Sequence, residues 1–215
     1  MTTTLHRHQS ATGKPKRIYL FVNGIKTFPG LSKNWNRRAV TWTHINTEHK
    51  AESLEYLMTA FRSAAGAKYR ASKLVRKLEF YNESGFEIHI VAHSNGSNVV
   101  LNALREFSAP VAAIHFIAPA CEEDCQTNGL NDLIRKGFLR KLHVYIGGED
   151  IPCKLASTLG RLVGFGGMGV HGAKWLTDPV HSEYEYKLHA IRNMNHGSWF
   201  EGDTFTCLML DIHKA

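Results

Sequence analysis

Ile88-His89-Ile90-Val91-Ala92-His93-Ser94-Asn95-Gly96-Ser97-Asn98-Val99-Val100 joins an apolar run to a helix-like pattern through a small-x-Ser-x-Gly turn. An extended chain that reverses at once into a helix needs small side chains on either side of the turning residue. Gly96, without a Cβ, lets the helix approach the strand closely. Ala92 carries the least bulky side chain available at its position. Such a turn lifts the serine out of the sheet with its hydroxyl exposed, the arrangement of a nucleophile elbow. The chemistry it implies is attack by Ser94 on a carbonyl, with the Asn95 N–H aimed at the developing oxyanion. An ordinary strand-to-helix turn with an exposed serine is the competing interpretation.

Working outward, Arg17–Val22 reads as a near-continuous apolar strand stopped by Asn23-Gly24, and residues 39–45 (AVTWTHI) read as a second strand. Residues 50–82 carry the longest helical pattern, with Leu54, Leu57, Met58 and Phe61, then Ala71, Leu74, Val75 and Leu78, at three- and four-residue intervals. Gly66 is a point where that helix could bend or divide. After the elbow a helix is expected through Val99–Phe107, a strand over Ala112–Ile117, and a helix near Leu130–Leu139. A strand over Leu142–Ile146, a last strand near Tyr184–Ile191 and a closing amphipathic helix over Asp203–His213 follow. Apolar strands separated by helical patterns predict a three-layer, doubly wound α/β domain around a mostly parallel six-stranded sheet. Residues 1–16 read as a flexible basic tail and 17–215 as one domain.

Sites in such sheets gather at the carboxyl ends of the strands. Asn23-Gly24-Ile25 follows the first strand, where the Ile25 N–H can join that of Asn95 as a second oxyanion donor. Gly147-Gly148-Glu149-Asp150-Ile151-Pro152 follows the fifth. Asp150 is preferred to Glu149 as the carboxylate that orients a histidine, because it is shorter and Ile151-Pro152 stiffens the backbone beside it. Glu122, Glu123 and Asp124 are rivals, and a plain helix-capping role for Asp150 stays open. His196, in the loop after the last strand, can take the Ser94 proton and return it to a leaving group. Trp199 and Phe200 read as anchors of that loop.

The order Ser94, Asp150, His196, with Asn23-Gly24-Ile25 and Ala92-His93-Ser94-Asn95-Gly96, resembles the α/β-hydrolase superfamily over about residues 17–213. The resemblance implies a Ser94–His196–Asp150 triad, with Ile25 and Asn95 forming the oxyanion hole. It further implies hydrolysis of esters, thioesters or amides without a cofactor. Asn23 stands where many members have histidine, and Ala92 where most have glycine. The two antiparallel strands that often open the fold are missing, and no cap domain fits between the strands. The expected substrate is a small ester or acyl compound.

Other features are weaker. The net charge of +7 comes partly from Arg7, Lys14, Lys16 and Arg17 and partly from Lys68, Arg70, Lys73 and Arg76. Without a nucleic-acid motif, the latter group reads as a solvated helix face rather than a nucleic-acid surface. A non-catalytic protein that keeps the hydrolase fold and uses this basic surface is the alternative from a different class. Cys121, Cys125, Cys153 and Cys207 are scattered, and no run of about 18 apolar residues or secretory leader is evident, so a reducing cytoplasmic setting is expected. The glycine-rich residues 157–175 suggest either an apolar lid or a tightly packed loop. His89, His115, His143 and His189 fall inside four successive strands and read as neutral, hydrogen-bonded side chains, so no metal is expected.

Overall fold

A computed structural model describes residues 15–24, 34–54, 63–158, 165–177 and 184–215. The expected tail to residue 14, Ile25, the helical positions Leu57, Met58 and Phe61, and the glycine-rich residues 159–164 lie outside them. The elements in chain order are β1 (Arg17–Val22), α1 (Trp35–Asn46), β2 (Lys50–Leu54), α2 (Ser63–Glu83) and β3 (Glu87–His93). Next come α3 (Gly96–Glu106), β4 (Val111–Ile117), α4 (Leu130–Arg135), β5 (Leu139–Gly147) and α5 (Ile151–Thr158). The chain closes with α6 (Met168–His171), β6 (Glu185–Ile191), a 3-10 turn at Ser198–Phe200 and α7 (Gly202–Lys214). The strands form one six-stranded sheet in the order β2-β1-β3-β4-β5-β6, and all five pairings are parallel.

The inner strands β1, β3 and β4 are largely apolar because both of their faces are covered. Ile18, Leu20 and Val22 of β1, with Ile88, Ile90 and Ala92 of β3, pack in one core with Leu74 and Leu78 of α2 and Val99, Val100 and Ala103 of α3. Tyr19, Phe21 and Val91 turn the other way, into a second core with Trp35 and Ala39 of α1 and Phe205, Leu208 and Met209 of α7. This is the doubly wound architecture expected from the sequence.

Residues 39–45 are not a strand. They lie in α1, and the second strand is Lys50–Leu54. The β-branched and aromatic composition of AVTWTHI favours a strand locally. Tertiary packing overrides it: the buried positions Trp35, Asn36, Ala39 and Thr43 share one helical face, and the Thr43 hydroxyl donates back to the Ala39 carbonyl at 2.8 Å. β2 was hard to read because it is an edge strand, KAESL, with a polar middle. Leu54 therefore belongs to β2, not to a helix. The expected burial of Ala71, Leu74, Val75 and Leu78 in α2 is observed, and Gly66 lies inside that helix without dividing it. Leu139 opens β5 rather than ending α4.

β1 is flanked by β2 on one side and β3 on the other, so the chain leaves it in opposite directions. That reversal opens a crevice at the carboxyl ends of β1 and β3. Asn23-Gly24 and Ser94 stand there.

Candidate active site

Ser94 adopts φ of 53°, a left-handed conformation that non-glycine residues rarely hold. Its N–H donates to the Ile117 carbonyl at 3.0 Å, and its own carbonyl accepts from the Ala120 N–H at 3.2 Å. The strained turn is thus tied to the loop after β4. A Cβ on Gly96 would sit 2.6 Å from the Val22 carbonyl oxygen and 2.7 Å from that of Asn23. The glycine is required because α3 starts directly against the end of β1. Gly96→Ala is expected to destabilise the fold by about 1–3 kcal/mol, read as a lower urea midpoint. An unchanged midpoint would show that α3 does not approach β1 this closely.

The loop after β1 reaches the same serine. A Cβ on Gly24 would lie 2.7 Å from Ser94 Cβ and 3.3 Å from its Oγ. Asn23 Oδ1 accepts from the Gly24 N–H at 3.0 Å and from Trp35 Nε1 at 2.9 Å, which fastens the loop to α1. Asn23 therefore does structural work at the end of β1. Asn95 is buried at the N-cap of α3, with its amide at the positive end of the helix dipole. Ile25, the other expected oxyanion donor, lies outside the described residues.

Asp150 is fully buried just after β5. His196 Nδ1 donates to its carboxylate, at 2.9 Å from Oδ2 and 3.0 Å from Oδ1, and the Cys153 N–H donates to Oδ1 at 2.8 Å. The capping role and the histidine-orienting geometry coexist in one side chain. The rival acids are engaged elsewhere: Glu123 Oε2 accepts from the Gly167 N–H, Asp124 Oδ1 from the Gln126 N–H, and Glu122 Oε1 from the Glu123 N–H.

The loop carrying His196 is held on every side. Asn195 Oδ1 accepts from the Gly197 and Ser198 N–H groups, both at 3.0 Å. Trp199 and Phe200 are buried, Phe200 stacks on Trp35 with centroids 4.6 Å apart, and Arg38 donates to its carbonyl at 2.8 Å. Both aromatics anchor, as their sequence suggested. His93 precedes the serine but turns toward the His196 loop. Its Nε2–H donates to the His196 carbonyl at 3.2 Å, and the two rings lie 4.6 Å apart. Burial and the His196 imidazole push the His93 pKa well below its ordinary value, so the ring is neutral. Only the fact that it flanks the elbow serine pointed to it in sequence.

With Nδ1 of His196 committed to Asp150, Nε2 carries the lone pair. Among the described residues no hydrogen bond joins that ring to Ser94 Oγ. The ring nonetheless packs on His93, the residue before the serine, and such contacts often tighten only with substrate bound. Cys153 Sγ lies 3.8 Å from His196 Nδ1, but burial and the Asp150 charge push its thiol pKa well up, so it stays neutral and is no rival nucleophile. Asp150, Cys153 and His196 offer three ligand atoms within 4.8 Å of one another. The carboxylate is already spent on His196 and the Cys153 amide.

The described part of the glycine-rich segment is packed, not free. Gly166, Gly167, Met168 and Gly169 are buried, and the Gly166 and Met168 N–H groups donate to the Ala120 and Cys121 carbonyls. This favours the packed-loop interpretation over a lid for residues 165–175. All four cysteines are free; Cys207 is exposed and the others are buried. No described helix is long and apolar enough to cross a membrane.

The strand order, the elbow at the switch point and the placement of the later loops define the α/β-hydrolase fold. No family of known proteins matches the chain by sequence, and no curated protein does. Solved structures do match. An uncharacterised protein from Bacillus cereus superposes with a TM-score of 0.58 at 16% identity over 94% of this chain. The chain spans 59% of that protein's length. The esterase Est2 from Thermogutta terrifontis matches at 0.56 and 14% identity, over 96% of this chain and 82% of the esterase. A structure described for the metagenome-derived lipolytic enzymes LipS and LipT matches at 0.54 and 14%, over 93% and 95%. At these identities the likeness is one of fold.

Proposed function

We propose that this chain is a serine hydrolase that cleaves small carboxylic esters through an acyl-enzyme, in a reducing, cytoplasmic setting. The observation that carries the proposal is the bond from His196 to the buried Asp150, with the His196 ring packed on His93, the residue before a serine held at positive φ. Asp150 holds His196 in the tautomer whose Nε2 can accept a proton. Ser94 Oγ attacks the acyl carbonyl as His196 takes its proton, and negative charge gathers on the carbonyl oxygen. The Asn95 amide, with Ile25 as its partner, stabilises that charge. His196 then protonates the leaving alkoxide, and water repeats the two steps on the Ser94 ester. The esterase and lipolytic neighbours support esters ahead of thioesters or amides. The exposed Ile151 beside Asp150 favours an apolar acyl group at the rim.

Labelling by a fluorophosphonate probe tests the proposal. The wild type is expected to label stoichiometrically, and Ser94→Ala and His196→Ala to lose the label while remaining folded. A folded wild-type protein that does not label, yet binds nucleic acid in a salt-dependent way, would point to the non-catalytic alternative instead.

A further inference from the structure

Away from the rim, the sheet face under α7 carries a row of imidazoles. His115 pairs in register with His143 across β4 and β5, and Tyr145 with His189 across β5 and β6. Nδ1 of His143 lies 3.4 Å from Nε2 of His189, and Nδ1 of His189 lies 3.6 Å from Oδ2 of Asp211 on α7. His143, His189 and Asp211 each offer one ligand atom, all within 4.8 Å of one another. Two nitrogens bound to one tetrahedral zinc ion stand about 3.3 Å apart, given the usual bond length. We propose that His143, His189 and Asp211 form a site for a divalent transition-metal ion, Zn2+ above all, that ties β6 and α7 to β5.

The surroundings suit such an ion. Tyr145 stacks on the His189 ring at 4.2 Å and 12°, and its hydroxyl donates to Asp211 Oδ2 at 2.7 Å. Both ligands are therefore oriented from outside, as metal sites generally require. His143 is 2% exposed, so an ion on its Nδ1 is held within the protein rather than at the open surface. The side chains of His189 and Asp211 are 25% and 43% exposed, which gives an ion a way in and leaves a coordination position for water. Two imidazoles and one carboxylate prefer zinc, nickel or copper to calcium or magnesium.

The test uses full-length, untagged protein stripped with a chelator and titrated with Zn2+ against a chromophoric competitor. One equivalent is expected to bind, and the melting temperature to rise by about 5 °C at about a hundredfold excess over Kd. His189→Gln and Asp211→Asn alter partly exposed positions and leave the core intact. Each is expected to weaken binding by about 10- to 100-fold and to abolish the thermal shift. The proposal is overturned if the wild type takes up no stoichiometric zinc. It is equally overturned if uptake and thermal shift survive both substitutions, because the ion would then be held by others of the 13 histidines.

Discussion

Replacing Asp150 with asparagine is expected to lower kcat for ester hydrolysis by about 10⁴-fold while leaving the protein folded. The direction follows from the hydrogen bonds around the carboxylate. The Cys153 N–H donates to Oδ1 and His196 Nδ1 donates to both oxygens. In Asp150→Asn the Cys153 amide continues to demand an oxygen, so the new amide group turns toward His196. Its N–H then faces Nδ1, which must become the acceptor. The ring proton moves to Nε2, and Ser94 loses the lone pair that takes its proton. Asp124→Asn should leave kcat unchanged, because Asp124 Oδ1 caps a surface turn at Gln126. Steady-state kinetics on a chromogenic ester distinguishes the two. A loss in Asp124→Asn with none in Asp150→Asn would reassign the acid.

A second large effect concerns acid stability. His89 and His93 are buried, and burial lowers both pKa values, against the pull of Glu87 on His89 and of the His196 carbonyl on His93. In the unfolded chain each titrates near the ordinary value of about 6.5. As pH falls below that point the unfolded state binds protons that the folded state refuses, so stability drops. Well above pH 7 neither state is protonated and the two histidines contribute no pH dependence. The limiting loss for each is about 1.4 kcal/mol per pH unit, reached well below 6.5 where the unfolded state is protonated and the folded state is not. Against a total of about 5–15 kcal/mol, this is a steep loss. Urea midpoints, measured with chelator present, should be nearly flat from pH 7 to 8 and fall sharply toward pH 5. His93→Phe, which keeps a ring but cannot titrate, should make the fall shallower. A midpoint that stays level to pH 5 would mean that these imidazoles reach water in the folded state.

The elements that could be read from the chain are those whose constraints are local. The elbow needs a strand, a strained residue and a glycine in immediate succession, and residues 88–100 supply all three. β1, β3, β4 and β5 are continuous apolar runs because helices cover both of their faces. The order Ser94, Asp150, His196 is also a property of the chain, whereas the contact of Asp150 with His196 is not. AVTWTHI shows where this kind of inference ends: its composition suits a strand, but as part of α1 it packs one helical face on β1 and β2.

Contiguous residues carry steric and propensity requirements, so the elbow, four of the strands and the ordering of the candidate catalytic groups were already set in one dimension. Long-range register and packing decided the rest. They set the Asp150 carboxylate against His196 Nδ1, placed His93 under the His196 loop, and brought Asp211 from the last helix to two histidines on separate strands. Contacts between residues 46 to 103 positions apart, such as Asp150–His196 and His93–His196, depend on the free energy of the whole core, and no local window encodes that.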